Sequence, residues 1–250
     1  MAGPAITVTV DDAGLAAEVN QALRLCMEAG AVDCASVLAS GEAWEEACSI
    51  VAGSTLPVSA HLNCVEPPFL SDRSFPGSIP VWACRASSLA DAVRREWSMQ
   101  IERLLSRGVM VTGLDSHRHL HHLKPLAEVA LDLAEEYGIR RVRTAVTAPE
   151  DGGLKGRLLR RLARKVACDA RERGMATTGL LLGFGRAGRI DRPYLERAER
   201  LLDSEQASWK GDVELVMHPA TAPLWNRGQP LELELLTSDW FEKWSSRNRG

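Results

Sequence analysis

Four of the six histidines fall in one run, Gly113-Leu114-Asp115-Ser116-His117-Arg118-His119-Leu120-His121-His122-Leu123-Lys124-Pro125, and the other two are His61 and His218. A carboxylate pair, Asp11-Asp12, stands near the N-terminus. Neutral imidazole is the commonest protein metal ligand and the side chain that titrates nearest neutral pH, so this combination points to metal-assisted acid/base chemistry. One carboxylate with His61 and His117 would give an Asp-His-His set of three ligands with a position left open for water. The other carboxylate could take a proton from that water, and His218 could protonate a leaving group. Together these residues are sufficient for amide or ester hydrolysis. Neighbouring residues on a strand point to opposite sides, so Asp11 and Asp12 are suited to different tasks.

Taken singly, each residue has a plainer reading. Asp12, just before Ala13-Gly14-Leu15, could cap a helix. A lone histidine at a strand end is as often a hydrogen-bonded core residue as a ligand. Arg118, His119, His121 and His122 read as loop and pocket-edge residues. The case rests on where the set falls along the chain.

Apolar, β-branched runs predict strands at Ile6–Val10, Ala31–Leu38, Val58–Asn63, Val109–Leu114, Arg140–Val146, Thr177–Leu182 and Val213–Met217. Helical spacing of apolar residues between them predicts helices over Leu15–Cys26, Glu42–Ala52, Ser88–Gly108, Leu126–Tyr137 and Tyr194–Leu202, with a closing helix in Leu233–Trp244. The prolines at 67, 68, 76 and 80 predict a long irregular loop from Cys64 to Ser87. Strands alternating with helices imply a parallel sheet, and about seven such units imply an α/β fold of (β/α) barrel-like form, a distorted or incomplete TIM-type barrel. The length of 250 residues suits a single barrel domain over 1–250. Asp11-Asp12, His61, Asp115/His117 and His218 then all sit at the C-terminal ends of strands, the edge where barrel enzymes build their sites.

Composition narrows the class further. A net charge of −3 and a pI near 6.1 argue against nucleic acid as a partner, since phosphate contacts need a surplus of Lys and Arg. Six cysteines without C-x-x-C spacing, no basic leader and no apolar run of membrane-spanning length predict a cytoplasmic protein.

The ordered motifs Thr9-Val10-Asp11-Asp12-Ala13-Gly14-Leu15, His61-Leu62-Asn63, Leu114-Asp115-Ser116-His117-Arg118-His119-Leu120-His121, Tyr137-Gly138-Ile139-Arg140 and His218-Pro219 resemble the YdjC/ChbG-like carbohydrate deacetylases. The resemblance implies a barrel related to polysaccharide deacetylases, one divalent metal ion (zinc, magnesium or another transition metal), and removal of acetyl from an N-acetylated amino sugar of the N-acetylglucosamine type. By motif position it makes Asp12, His61 and His117 the metal ligands, Asp11 the general base and His218 the acid, with Asp115 orienting an imidazole. Val10, Ala13 and Ala220 depart from the family's usual residues next to the site.

Other residues bear on the substrate. Arg141 and Arg143 share a strand face, where an arginine could bind a substrate oxygen or a phosphate, or pair with a neighbouring helix. Trp82 and Trp225 are candidates to stack on a sugar ring, with Trp97 better placed as core. The segment 155–166, Lys155 to Val166, predicts a helix with an apolar stripe of Leu158, Leu159, Leu162 and Val166 between arginines. Such a helix is ordinarily a barrel helix with a solvated face; the alternative is peripheral contact with an anionic membrane or a lipid-linked substrate. A homodimer is the expected oligomeric state. Two readings compete with the deacetylase: another metal-dependent barrel hydrolase such as a phosphoesterase, and a non-catalytic sugar-binding barrel.

Overall fold

The computed structural model describes residues 5–148, 153–205 and 212–248. Seven strands close into a fully parallel barrel in chain order: β1 (Ile6–Ala13), β2 (Cys34–Val37), β3 (Val58–Leu62), β4 (Val111–Ser116), β5 (Arg141–Val142), β6 (Ala176–Leu182) and β7 (Asp212–Met217), with β7 pairing back onto β1. Helices α1 (Ala17–Glu28), α2 (Trp44–Ala52), α3 (Ile79–Ser106), α4 (Leu126–Glu136), α5 (Gly153–Glu172) and α6 (Arg192–Glu205) follow the first six strands in turn, and α7 (Gln229–Leu236) and α8 (Asp239–Asn248) end the chain. The α/β barrel expected from the alternation is thus present, with closure by seven strands.

The same periodicity explains how the helices pack. In α1, Val19, Ala22, Leu23 and Cys26 recur at helical spacing and all four are buried against the barrel. Among the described residues no helix is long and apolar enough to cross a membrane.

The irregular loop predicted for Cys64 to Ser87 is shorter than expected, because α3 already begins at Ile79. Pro80 occupies the first turn of α3, where the missing N–H would have had no partner and the fixed φ suits a helix. This early start overturns one further expectation. Trp82 is fully buried, donates its indole N–H to the carbonyl of Pro76 at 2.7 Å and stacks on Phe75. It is core, and no sugar ring reaches it.

Strand β5 is also shorter than its predicted span. Only Arg141 and Val142 pair on both sides, yet the chain stays against its neighbours through Arg143 N–H to Leu114 O at 2.9 Å and Leu181 N–H to Val146 O at 2.9 Å.

Candidate active site

The C-terminal end of β1 departs from regular strand geometry in a way that matters for both aspartates. Its pairing with β2 shifts register between Val10 and Ala13, and Asp12 has φ of 61°. That left-handed conformation is costly for most side chains, though Asp and Asn tolerate it best. The shift breaks the strand's alternation, so Asp11 and Asp12 both line the cavity at the barrel mouth and face different partners. Asp12 does not cap α1, whose N-cap position is Ala16.

Three atoms converge beside Asp12. Its Oδ1 lies 3.3 Å from His61 Nε2 and 3.1 Å from His117 Nδ1, and the two imidazole nitrogens are 3.4 Å apart. Ligand atoms set tetrahedrally about 2.0–2.1 Å from one ion stand roughly 3.4 Å from each other, so the triangle has the size of a metal's coordination face. The remaining nitrogens point to carboxylates. His61 Nδ1 meets Asp115 and Ser36, while His117 Nε2 lies 3.5 Å from Glu66 Oε2. An N–H committed on that side leaves the other nitrogen's lone pair for a ligand. Burial disfavours the imidazolium forms, but the surrounding carboxylates prevail: Asp115 and Asp11 push His61 up to about 10, and Asp12 pushes His117 up to about 9. The carboxylates that hold a proton on each imidazole would hold a metal ion in its place once those protons leave, so the residues fit a bound cation.

Behind the triangle lies a buried ionic network. Arg143 donates to both oxygens of Asp11, at 2.8 and 2.9 Å, and its Nε donates to Glu214 Oε1 at 2.9 Å. The same guanidinium lies 3.2 Å from Asp115 Oδ2. Ser36 Oγ stands 2.7 and 2.9 Å from the Asp115 oxygens, and Glu214 accepts from Thr9 and Thr178 at 2.9 and 2.7 Å. Burial raises the Glu214 carboxyl, but the Arg143 and Arg141 charges outweigh it and hold it below its usual value. The guanidinium expected to bind a substrate oxygen, or a neighbouring helix, is instead buried and committed to three carboxylates.

His218, at the end of β7, completes the rim. Its Nε2 lies 4.0 Å from Asp11 Oδ2, its backbone N–H donates to Glu232 Oε2 at 2.6 Å, and its ring meets Trp225 edge-on at 5.5 Å. Nδ1 is buried without a partner among the described residues. Trp225 is 47% exposed and lines the cavity mouth, as its candidacy for ring stacking requires.

The other histidines divide. His121 and His122 are buried and serve the backbone: His121 bridges Ser116 Oγ and the Arg143 carbonyl at 2.6 and 2.8 Å, and His122 Nε2 accepts from Ala145 N–H at 3.0 Å. Burial lowers His121 to about 3, so it works as a neutral imidazole. Arg118, His119 and His122 line the cavity, as expected of pocket-edge residues, whereas His121 does not.

Four functional neighbours escaped the sequence reading: Ser36, Glu66, Glu214 and Glu232. Glu214 did leave a signal, since a carboxylate inside the apolar run Val213–Met217 is buried only when paired. Glu66 left none. It is placed by Asn63, whose side chain accepts from Glu66 N–H at 3.1 Å and donates to Glu66 O at 2.6 Å.

Residues 5–247 match the family described as YdjC-like protein. The chain belongs to the YdjC-like family. Among its relatives, a carbohydrate deacetylase of Geobacillus stearothermophilus is 34% identical over 151 residues, 55% of this chain and 60% of that protein. One from Oceanobacillus iheyensis is 28% identical over 144 residues, covering 54% of this chain and 62% of the relative. Similarity to these bacterial proteins thus spans less than two thirds of their length. A carbohydrate deacetylase of Mus musculus is 26% identical over 291 residues, 97% of this chain and 91% of that one. The fold is shared with the crystal structure of a candidate cellobiose-phosphate cleavage protein from Enterococcus faecalis V583, at a TM-score of 0.73 and 20% identity, covering 99% of this chain and 96% of the other.

Proposed function

We propose that this YdjC-like protein is a metal-dependent hydrolase that removes the acetyl group from an N-acetylated amino sugar. The observation that carries the reading is the 3.1–3.4 Å triangle of Asp12 Oδ1, His61 Nε2 and His117 Nδ1, open to a cavity that also holds Asp11 and His218. Relatives named carbohydrate deacetylases support the substrate class.

Asp12, His61 and His117 would hold one divalent ion, whether zinc, magnesium or a transition metal. A divalent ion there supplies Lewis-acid chemistry, lowering the pKa of water and polarising the acetyl carbonyl. Asp11, gripped by Arg143 in the cavity wall, takes the proton of the attacking water. His218 gives a proton to the departing amine nitrogen. As the water oxygen bonds to the acetyl carbon, the C–N bond breaks, and acetate and a free amino sugar leave. Trp225 offers its indole face to the sugar ring. Asp115 keeps the His61 lone pair turned toward the ion.

A two-metal phosphoesterase is less well supported. The second group of possible ligands, Asp11, His61 and Asp115, already has the Arg143 guanidinium among its carboxylates.

The first test is acetate release from free, oligomeric and nucleotide-linked N-acetylglucosamine by chelated protein, with and without added divalent metals. Metal-restored release is expected; stoichiometric metal with no release from any compound would overturn the reading. Asp11→Asn is expected to keep the metal and lower kcat by about 10²–10⁴-fold, the usual contribution of a general base. A variant with unchanged kcat removes Asp11 from that role. Asp115→Asn is expected to weaken metal affinity roughly 10–100-fold, measured by competition with a chromogenic chelator. Unchanged affinity would show that His61 needs no orienting partner.

A further inference from the structure

Of the apolar stripe of α5, only Val166 lies where a barrel helix normally buries it. Gly156, Ala163, Val166, Ala167 and Ala170 form the buried face of α5. Leu158, Leu159 and Leu162 remain outside that face, with Leu158 62% exposed, and all three line the cavity that contains the metal triangle. The first turn of α3 faces them across the cleft through Ile79 and Ala83, and Leu123 adds to the wall. The cavity volume is about 830 Å³, near the upper end of the roughly 300–1,000 Å³ typical of small-molecule sites. A second, mostly apolar cavity of about 290 Å³ shares Glu66, His117 and Trp225 with it and is lined by Leu15, Leu38, Pro67 and Leu224 beside Ser40 and Asn63. The larger cavity runs from the triangle into an aliphatic arm.

The aliphatic arm is poorly suited to a second sugar. Hydroxyls placed against leucine side chains would give up water hydrogen bonds and gain none. Hydrocarbon placed there is stabilised in proportion to the area it buries. We propose that the substrate is an amphiphilic glycoside, whose amino sugar lies over the triangle and whose hydrocarbon aglycone occupies the arm between α3 and α5. The arm is continuous with the reacting centre, so what fills it is attached to the group being hydrolysed. This inference rests on the deacetylase reading, and it names the substrate class that reading leaves open.

The test uses two measurements on the metal-loaded protein. In the first, acetate release is compared for methyl, hexyl and octyl N-acetylglucosaminides, all below their critical micelle concentrations, and for N,N′-diacetylchitobiose. Each methylene entering the arm is expected to raise kcat/KM about threefold to fourfold through a lower KM, until the arm is full. In the second, calorimetry follows binding of methyl and octyl glucoside, which carry no acetyl group. Octyl glucoside is expected to bind at least tenfold more tightly, and Leu158→Asn with Leu162→Asn is expected to erase that ratio. Equal kcat/KM for methyl and octyl substrates, or N,N′-diacetylchitobiose as the best substrate, overturns the aglycone arm while leaving the deacetylase reading intact. No acetate from any compound, with chain-length-dependent binding that the Asn pair abolishes, does the reverse. Binding that does not change with chain length also overturns the aglycone arm.

Discussion

His117→Ala is expected to leave a folded protein that has lost both its metal and its activity. His117 supplies one of three donor atoms, with its Nδ1 3.1 Å from Asp12 Oδ1, and its side chain is only partly buried at the cavity rim. Truncation there removes few core contacts, so the melting temperature of the metal-free protein should move by no more than about 2 °C, the scale of a substitution costing less than about 1 kcal/mol in a chain of this size. Metal content after dialysis should fall from near one ion per chain to a small fraction of that. The kcat/KM for deacetylation should drop by a thousandfold or more, on the order of what a lost metal-activated nucleophile costs. Elemental analysis, thermal denaturation and acetate release on the same preparation check all three. Full metal content with near-normal activity would show that the triangle is not the centre, and would return the argument to the bare cavity.

Arg143→Leu is expected to damage stability more than any other single change in the barrel. The guanidinium is buried among Asp11, Asp115 and Glu214, and it gives Asp11 a bidentate contact at 2.8 and 2.9 Å. Leucine would fill much of the volume but leave three buried carboxylates without their cation. Removing one partner from a buried ionic cluster typically costs about 3–5 kcal/mol, chiefly from the charges left behind. In a chain of this length that corresponds to a melting temperature lower by roughly 10 °C. Arg143→Lys should recover only part of the loss, because a point charge cannot span both Asp11 oxygens. Urea denaturation of both variants without metal isolates the effect from catalysis. A loss below about 1 kcal/mol for the leucine variant would mean that the carboxylates find other partners.

Much of this was legible in the sequence where the local signal and the tertiary demand coincide. The β-branched runs of β1, β3 and β7 end next to Asp11-Asp12, His61 and His218, so placing the strands also places those residues on the barrel's upper edge. His117 follows for the same reason, since β4 ends at Ser116. The misreadings come from cues with two meanings. Pro80 can end a loop or begin a helix, and only the packing of Trp82 on Phe75 decides that α3 starts there. Helical spacing identified the leucines of α5 correctly as one stripe, but spacing cannot say whether the barrel or a cleft lies opposite. Small residues settled it, because Gly156, Ala163 and Ala167 allow close approach on another face. Arg143 was recognised as a charge on a strand, yet whether a strand residue points into solvent or into the barrel depends on register, which β5 with its two paired residues hardly advertises.

Barrel interiors are usually filled by layers of branched aliphatic side chains. Here that space holds Thr9, Ser36, Arg143, Thr178 and Glu214, and the same chain of contacts ends at Asp11 and Asp115 beside the triangle. Engineers seeking a more heat-resistant variant would ordinarily exchange such a buried ionic cluster for well-packed hydrophobes, which is often neutral or stabilising. In this protein the exchange would also release Asp11, the carboxylate proposed to face the attacking water. Thermal robustness is then to be sought on the outer helices and loops, because the inside of the barrel holds the proposed general base in place.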